Sequence, residues 1–182
     1  RCLVGSEMCI RDRPLPISVN VSRTYLQKED VAGYIKNLID KYQIPMELFQ
    51  LEITETTENA ESLSYINSLK QAGFTLLMDD FGSGYSSLCM LKNTPFDVLK
   101  MDRQFLDECL DSKQGKTIIS HVISMSNDLG LSIIAEGVEN RGTADFLYDN
   151  GCSVSQGFYF SKPVSIPEFE HMLDEQQTEQ QR

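Results

Sequence analysis

Met78-Asp79-Asp80-Phe81-Gly82-Ser83-Gly84-Tyr85-Ser86-Ser87-Leu88 sets two adjacent carboxylates at the end of an apolar run that begins at Phe74. A glycine-rich turn follows, then the start of a helical pattern. Neighbouring carboxylates repel each other, so a fold that holds both at one strand end tends to hold a cation there too. Hard oxygen ligands of this kind suit Mg²⁺ or Mn²⁺. A lone Asp-Asp before a turn is most simply a pair of solvated turn residues. Recurrence of the same arrangement along the chain argues otherwise.

Five more short apolar runs are closed by one polar residue. Ile17-Ser18-Val19 ends at Asn20, and Leu48-Phe49-Gln50-Leu51 ends at Glu52. Phe96-Asp97-Val98-Leu99 ends at Lys100, Leu131-Ser132-Ile133-Ile134-Ala135 ends at Glu136, and Val154-Ser155 ends at Gln156. Runs of this length, rich in Val, Ile, Leu and Phe, read as buried strands. Strands are expected near 17–21, 48–54, 74–80, 97–101, 132–136 and 155–160. Helical periodicity fills the intervals. Val31, Ile35, Leu38, Ile39 and Tyr42 fall on one face, as do Leu63, Ile66 and Leu69, with Gly73 placed to cap. Ile118, Ile119, Val122, Met125 and Leu129 form a third face before Gly130, and Phe146 and Leu147 a shorter one before Gly151.

Strand and helix thus alternate about six times, the signature of a parallel α/β protein. In such folds the chemistry sits at the C-terminal strand ends. Asn20, Glu52, Asp79, Asp80, Lys100, Glu136 and Gln156 all fall there. Only closure into a barrel brings all six ends around one point, so a barrel is favoured over an open sheet. Neither a G-x-G-x-x-G nor a G-x-x-x-x-G-K-[ST] pattern is present, which disfavours dinucleotide and P-loop folds.

The chain of 182 residues is long enough for one sizeable domain, yet a (β/α)₈ barrel typically needs about 250. The expected fold is therefore a partial (β/α)₈, TIM-like barrel with about six of eight strands, two being absent ahead of Pro14. Residues 1–13 resemble a translated sequencing-adaptor read and are set apart as a non-native leader. Residues 14–174 form the domain, and the Gln-rich stretch 175–182 is a polar tail expected to fray. A net charge of −11 argues against electrostatic binding to DNA, RNA or anionic membranes. A small anionic ligand stays compatible, because metal ions at a carboxylate cluster invert the local field. Outside the leader, Cys89, Cys109 and Cys152 lack C-x-x-C spacing, as expected of a reducing compartment. His121 and His171 sit alone on helical stretches and read as surface or packing residues.

In this order, the segments Ser18-Val19-Asn20-Val21-Ser22, Leu51-Glu52-Ile53-Thr54-Glu55, Asp79 to Leu88, Leu99-Lys100-Met101-Asp102, Ala135-Glu136-Gly137-Val138-Glu139 and Gln156-Gly157-Phe158-Tyr159-Phe160-Ser161-Lys162-Pro163 resemble the EAL domain family of cyclic di-GMP phosphodiesterases. The likeness runs from about Ser18 to Pro163, making 14–174 the C-terminal two-thirds of an EAL domain. It implies an EAL barrel that hydrolyses cyclic di-GMP, a bacterial second messenger, to linear pGpG in signal transduction. By the family pattern, Asn20, Glu52 and Asp79 coordinate one divalent ion, and Asp79 with Asp80 reaches a second, the pair being Mg²⁺ or Mn²⁺. Lys100 orients or helps activate the attacking water, Glu136 is the general base or a further metal-site carboxylate, and Gln156 lies at the substrate and metal end of its strand. Glu55 supports the loop that carries Asp79 and Asp80.

Phosphodiester hydrolysis fits those residues. Two ions roughly 3.5–4 Å apart supply a nucleophile at neutral pH and neutralise charge on the phosphate. A bridging ligand between them must be a carboxylate, and Asp79 is the candidate. Ser83 and Asn140 stand where threonine is commoner in the family. The family's Glu-x-Leu-x-Arg segment does not occur in this sequence, so the 182-residue chain alone is expected to be inactive, the parent protein being the hydrolase. The resemblance also implies a cytoplasmic domain, a homodimer contact near Gly82 to Leu88, and a preceding sensor or GGDEF-type domain. The competing expectation is a catalytically silent EAL module that serves as a cyclic di-GMP receptor or protein-interaction domain.

Overall fold

The computed structural model describes residues 15–22, 30–54, 60–83 and 87–180. They form a single parallel sheet of six strands in sequence order. The strands are β1 (Ile17–Asn20), β2 (Phe49–Thr54), β3 (Thr75–Phe81), β4 (Val98–Met101), β5 (Ser132–Ala135) and β6 (Val154–Ser155). Helices α1 (Val31–Lys41), α2 (Ala60–Gln71), α3 (Ser87–Asn93), α4 (Arg103–Leu110), α5 (Lys113–Asp128), α6 (Arg141–Asp149) and α7 (Ile166–Gln180) connect and follow them. The arrangement is a half-barrel, in which β1 and β6 form the two edges among the described residues.

Register sorts every strand residue onto one of two faces. Asn20 pairs with Glu52, Glu52 with Leu77, Val98 with Leu77, Lys100 with Ile134, and Ile134 with Val154. Alternation along each strand then puts Leu51, Ile53, Leu76, Met78, Leu99, Met101, Ile133 and Ala135 on the opposite, helix-covered face. All eight are buried there. The main core is therefore the layer between sheet and helices, joined by Ile66, Leu69, Ile119, Ile123 and Leu147. The inner face carries the polar residues at its C-terminal rim.

Helix boundaries follow local chemistry. Asp102 accepts hydrogen bonds from Gln104 N and Phe105 N to start α4, and Asn140 accepts from Thr143 N to start α6. Gly73, Gly130 and Gly151 adopt positive φ after α2, α5 and α6, as their placement predicts.

Three expectations need correction. The strand near 155–160 is only Val154–Ser155. The chain turns at Gly157, where Phe160 N and Ser161 N both donate to Gly157 O, so Phe158 to Phe160 cannot extend a ladder. On α5 the buried face is Ile119, Ile123 and Ser126, while Ile118 and Leu129 are half exposed. The helix turned toward the sheet presents the i, i+4, i+7 row, and Ile123 was absent from the expected face. Finally, α7 continues to Gln180, so most of the polar tail is helix.

Candidate functional site

A bulge in β3 creates the paired carboxylates. Met78 pairs with Leu99 and Phe81 with Met101, so Asp79 and Asp80 together oppose Lys100 alone. Strict alternation would point neighbouring residues to opposite faces. The extra residue breaks that rule, and Asp80 takes it up with a left-handed backbone, φ 59°, which aspartate tolerates better than most residues.

Lys100 sits at the centre of the rim. Its Nζ lies 2.8 Å from Glu52 Oε1, 2.9 Å from Asp79 Oδ1 and 2.6 Å from Glu136 Oε1. Glu52, Asp79 and Lys100 are all buried. Gln156 Nε2 donates to Glu136 Oε1 at 2.9 Å, and Ser18 Oγ donates to Glu52 Oε1 at 2.5 Å. One polar network therefore ties together side chains carried by, or directly following, all six strands.

Electrostatics follow from that packing. Burial alone would lower the Lys100 pKa, but hydrogen bonds to Glu136, Glu52 and Asp79 outweigh it and hold the ammonium charged, above its ordinary range. Burial pushes the Glu136 carboxyl up; Lys100 opposes this, while Asp79 and Glu52 add to it. Asp80 is also raised, by burial first and then by the charges of Asp79 and Asp102.

Of the residues singled out in the sequence, Glu52, Asp79, Lys100, Glu136 and Gln156 are joined directly. Asn20 ends β1 beside Glu52 and lines a cleft of about 980 Å³ that also reaches Glu136, Gln156 and Arg103. Asp80 adjoins them through the bulge. Glu55 lies outside the described residues. Ser18 was missed as a site residue, although its position two before Asn20 puts both on one face. Arg103 was missed too: its Nη2 lies 2.8 Å from Glu139 Oε1 beside that cleft.

The donor chemistry, three carboxylates and an amide oxygen, fits a hard divalent cation. Among the described residues, however, no group of acidic, His or Cys side chains is arranged to hold one; Glu52, Asp79 and Glu136 converge on the ammonium instead.

The EAL domain family model matches residues 6–163, which takes in part of the segment 1–13. The cyclic di-GMP phosphodiesterase RocR of Pseudomonas aeruginosa is 36% identical over 165 residues, covering 89% of this chain and 41% of RocR. The crystal structure of the EAL domain of Mycobacterium smegmatis DcpA superposes with a TM-score of 0.82 at 32% identity, over 89% of this chain and 74% of that one. The manganese and cyclic di-GMP complex of Klebsiella pneumoniae BlrP1 gives a TM-score of 0.79 at 26% identity, over 88% of this chain and 42% of BlrP1. The chain spans about a fifth to two-fifths of the length of the first curated relatives it matches. On the family match and the rim geometry together, this chain belongs to the EAL domain family.

Proposed function

We propose that this chain is the part of an EAL phosphodiesterase that carries most of the catalytic rim, and that its parent protein hydrolyses cyclic di-GMP to pGpG. The observation that carries the reading is the buried Lys100, shared by Glu52, Asp79 and Glu136 at the C-terminal rim of an EAL-type sheet. Asn20, Glu52, Asp79 and Asp80 would hold Mg²⁺ or Mn²⁺. Bound there, the ions supply neutralisation of phosphate charge and an acidified water.

The chain's own groups have separable tasks. Lys100 stays protonated and stabilises negative oxygen near the carboxylates. Glu136, with its pKa raised by burial, sits closer to the range in which a carboxylate can take up a proton at neutral pH. Gln156 fixes Glu136 through Oε1. Glu55 is assigned to support of the Asp79–Asp80 loop.

Hydrolysis requires the parent protein, because the half-barrel leaves the rim open on the side where β1 and β6 do not meet. For the 182-residue chain on its own, that opening favours the second reading, a module with the ligand's chemistry but without turnover. The wider proposals are a homodimer, a preceding sensor or GGDEF-type domain, and a cytoplasmic setting. No helix among the described residues is long and apolar enough to cross a membrane.

The test is chromatography of cyclic di-GMP incubated with the parent protein and Mg²⁺ or Mn²⁺. pGpG should accumulate, and Lys100→Ala should abolish it. Binding of cyclic di-GMP with no pGpG at all would assign the protein to the silent receptors.

A further inference from the structure

The two outer carboxylates of the rim are gripped in the same way. Glu136 Oε1 lies between Lys100 Nζ at 2.6 Å and Gln156 Nε2 at 2.9 Å. Glu52 Oε1 lies between Lys100 Nζ at 2.8 Å and Ser18 Oγ at 2.5 Å. On each flank a neutral donor from the edge strand completes what the central ammonium begins. Gln156 has a role in the family pattern, while Ser18, its counterpart on β1, belongs to the matching segment without one.

We infer that Ser18 is a positioning residue for the ion-binding carboxylate of Glu52, an inference that rests on the reading of Glu52 as a metal ligand. Ser18 pairs in register with Gln50, and Asn20 with Glu52. The Ser18 hydroxyl therefore reaches diagonally, one ladder step along, to the carboxylate beside Asn20. Among the described residues the polar contacts of Glu52 fall on Oε1. Two donors on one oxygen fix the orientation of the carboxylate and direct the other oxygen away from both. A lysine is a flexible partner on a four-carbon stem, so Lys100 alone would let Glu52 follow it. The Ser18 hydroxyl, one carbon from the β1 backbone, gives Glu52 a second hold that does not depend on the lysine stem. Groups that orient a metal ligand from behind typically change metal affinity 10–100-fold when removed.

The experiment uses Mn²⁺ alone, titrated into the metal-free 182-residue chain and followed by the electron paramagnetic resonance signal of the free ion. Ser18→Ala should weaken binding about 10-fold, and Ser18→Thr, which keeps a hydroxyl and suits a strand, should stay near wild type. Melting temperature in metal-free buffer should change by less than about 2 °C for Ser18→Ala. Glu52→Gln serves as the reference for loss of the ligand itself. If Glu52→Gln weakens binding and Ser18→Ala does not, the positioning role is wrong and the ligand reading survives. If the wild type takes up no Mn²⁺, or Glu52→Gln binds as well as wild type, the ligand reading falls and the role of Ser18 with it. A large drop in melting temperature for Ser18→Ala in metal-free buffer, relieved in Ser18→Thr, would make the hydroxyl a structural bond and not a positioning one.

Discussion

Lys100 Nζ stands 2.6 Å from Glu136 Oε1, so the buried ammonium ties β4 to the half-buried residue that follows β5. The same ammonium serves Glu52 on β2 and Asp79 on β3. Three carboxylates on one buried ammonium leave an excess of negative charge at the rim. That excess makes the rim a cation-seeking surface, and it makes Lys100 the group whose loss is felt on every side.

Lys100→Met should therefore destabilise the metal-free chain by about 3–5 kcal/mol, the usual penalty for breaking a buried pair by removing one partner. Added Mn²⁺ should restore part of the loss, since an ion can neutralise the same oxygens. Denaturant unfolding with and without Mn²⁺ measures both effects. A variant as stable as wild type without metal would mean that the three carboxylates do not depend on Lys100.

Glu136 gives a pH signature. Its folded pKa is raised, so between its ordinary carboxylate value and the folded value the native state binds more protons than the unfolded chain. Stability from this group is present at acid pH and is lost as pH rises through the folded value. Glu136→Gln removes that dependence. The stability difference, wild type minus variant, should shrink from about pH 4 toward pH 7 in metal-free denaturant melts. A difference that grows with pH would place the Glu136 pKa below the ordinary range. In the parent protein the same variant should bind cyclic di-GMP better than it turns it over.

Much of the rim was legible in the sequence because polar residues that interrupt apolar runs at strand ends are few and orderly. Asn20, Glu52, Asp79, Lys100, Glu136 and Gln156 all lie on one face for that reason. What the pattern did not reveal depends on geometry between strands. The bulge that lets Asp79 and Asp80 share a rim is a register shift, visible only against β4. Ser18 looks like an ordinary strand serine until the diagonal to Glu52 is known. The end of β6 was misjudged because Phe158, Tyr159 and Phe160 have high strand propensity, yet the close approach of Gly157 to Val138 forces a turn.

That close approach separates two glycines at the rim. A Cβ on Gly157 would lie 2.2 Å from Val138 O and 2.3 Å from Val138 N, both backbone atoms. A Cβ on Gly137 would lie 2.3 Å from Arg103 Cγ and 2.5 Å from Arg103 Cβ, at a φ of 68°; side-chain rotation can clear Cγ but not Cβ. Gly157→Ala, which meets backbone atoms alone, should therefore lower stability more than Gly137→Ala, whose backbone strain by itself is about 1–3 kcal/mol. Gly157→Ala should also displace Gln156 from Glu136. Thermal melts of the two variants decide the order, and equal losses would mean that the Val138 backbone yields.

Asp79 and Asp80 should part company under substitution. Asp79 is buried on Lys100 with ordinary strand geometry, so Asp79→Asn removes charge where three partners converge and should weaken Mn²⁺ binding 10-fold or more, roughly the effect of losing a metal-site group. Asp80 carries the bulge on a left-handed backbone. Asp80→Ala should lose about 1–2 kcal/mol of stability, because alanine is strained there, whereas Asp80→Asn and Asp80→Gly tolerate the conformation and should fold normally. All three remove the carboxylate, so all three should weaken Mn²⁺ binding alike while only the alanine variant melts early. Stability and metal affinity falling together across the Asp80 series would show that the bulge, and not the carboxylate, is what the second aspartate contributes.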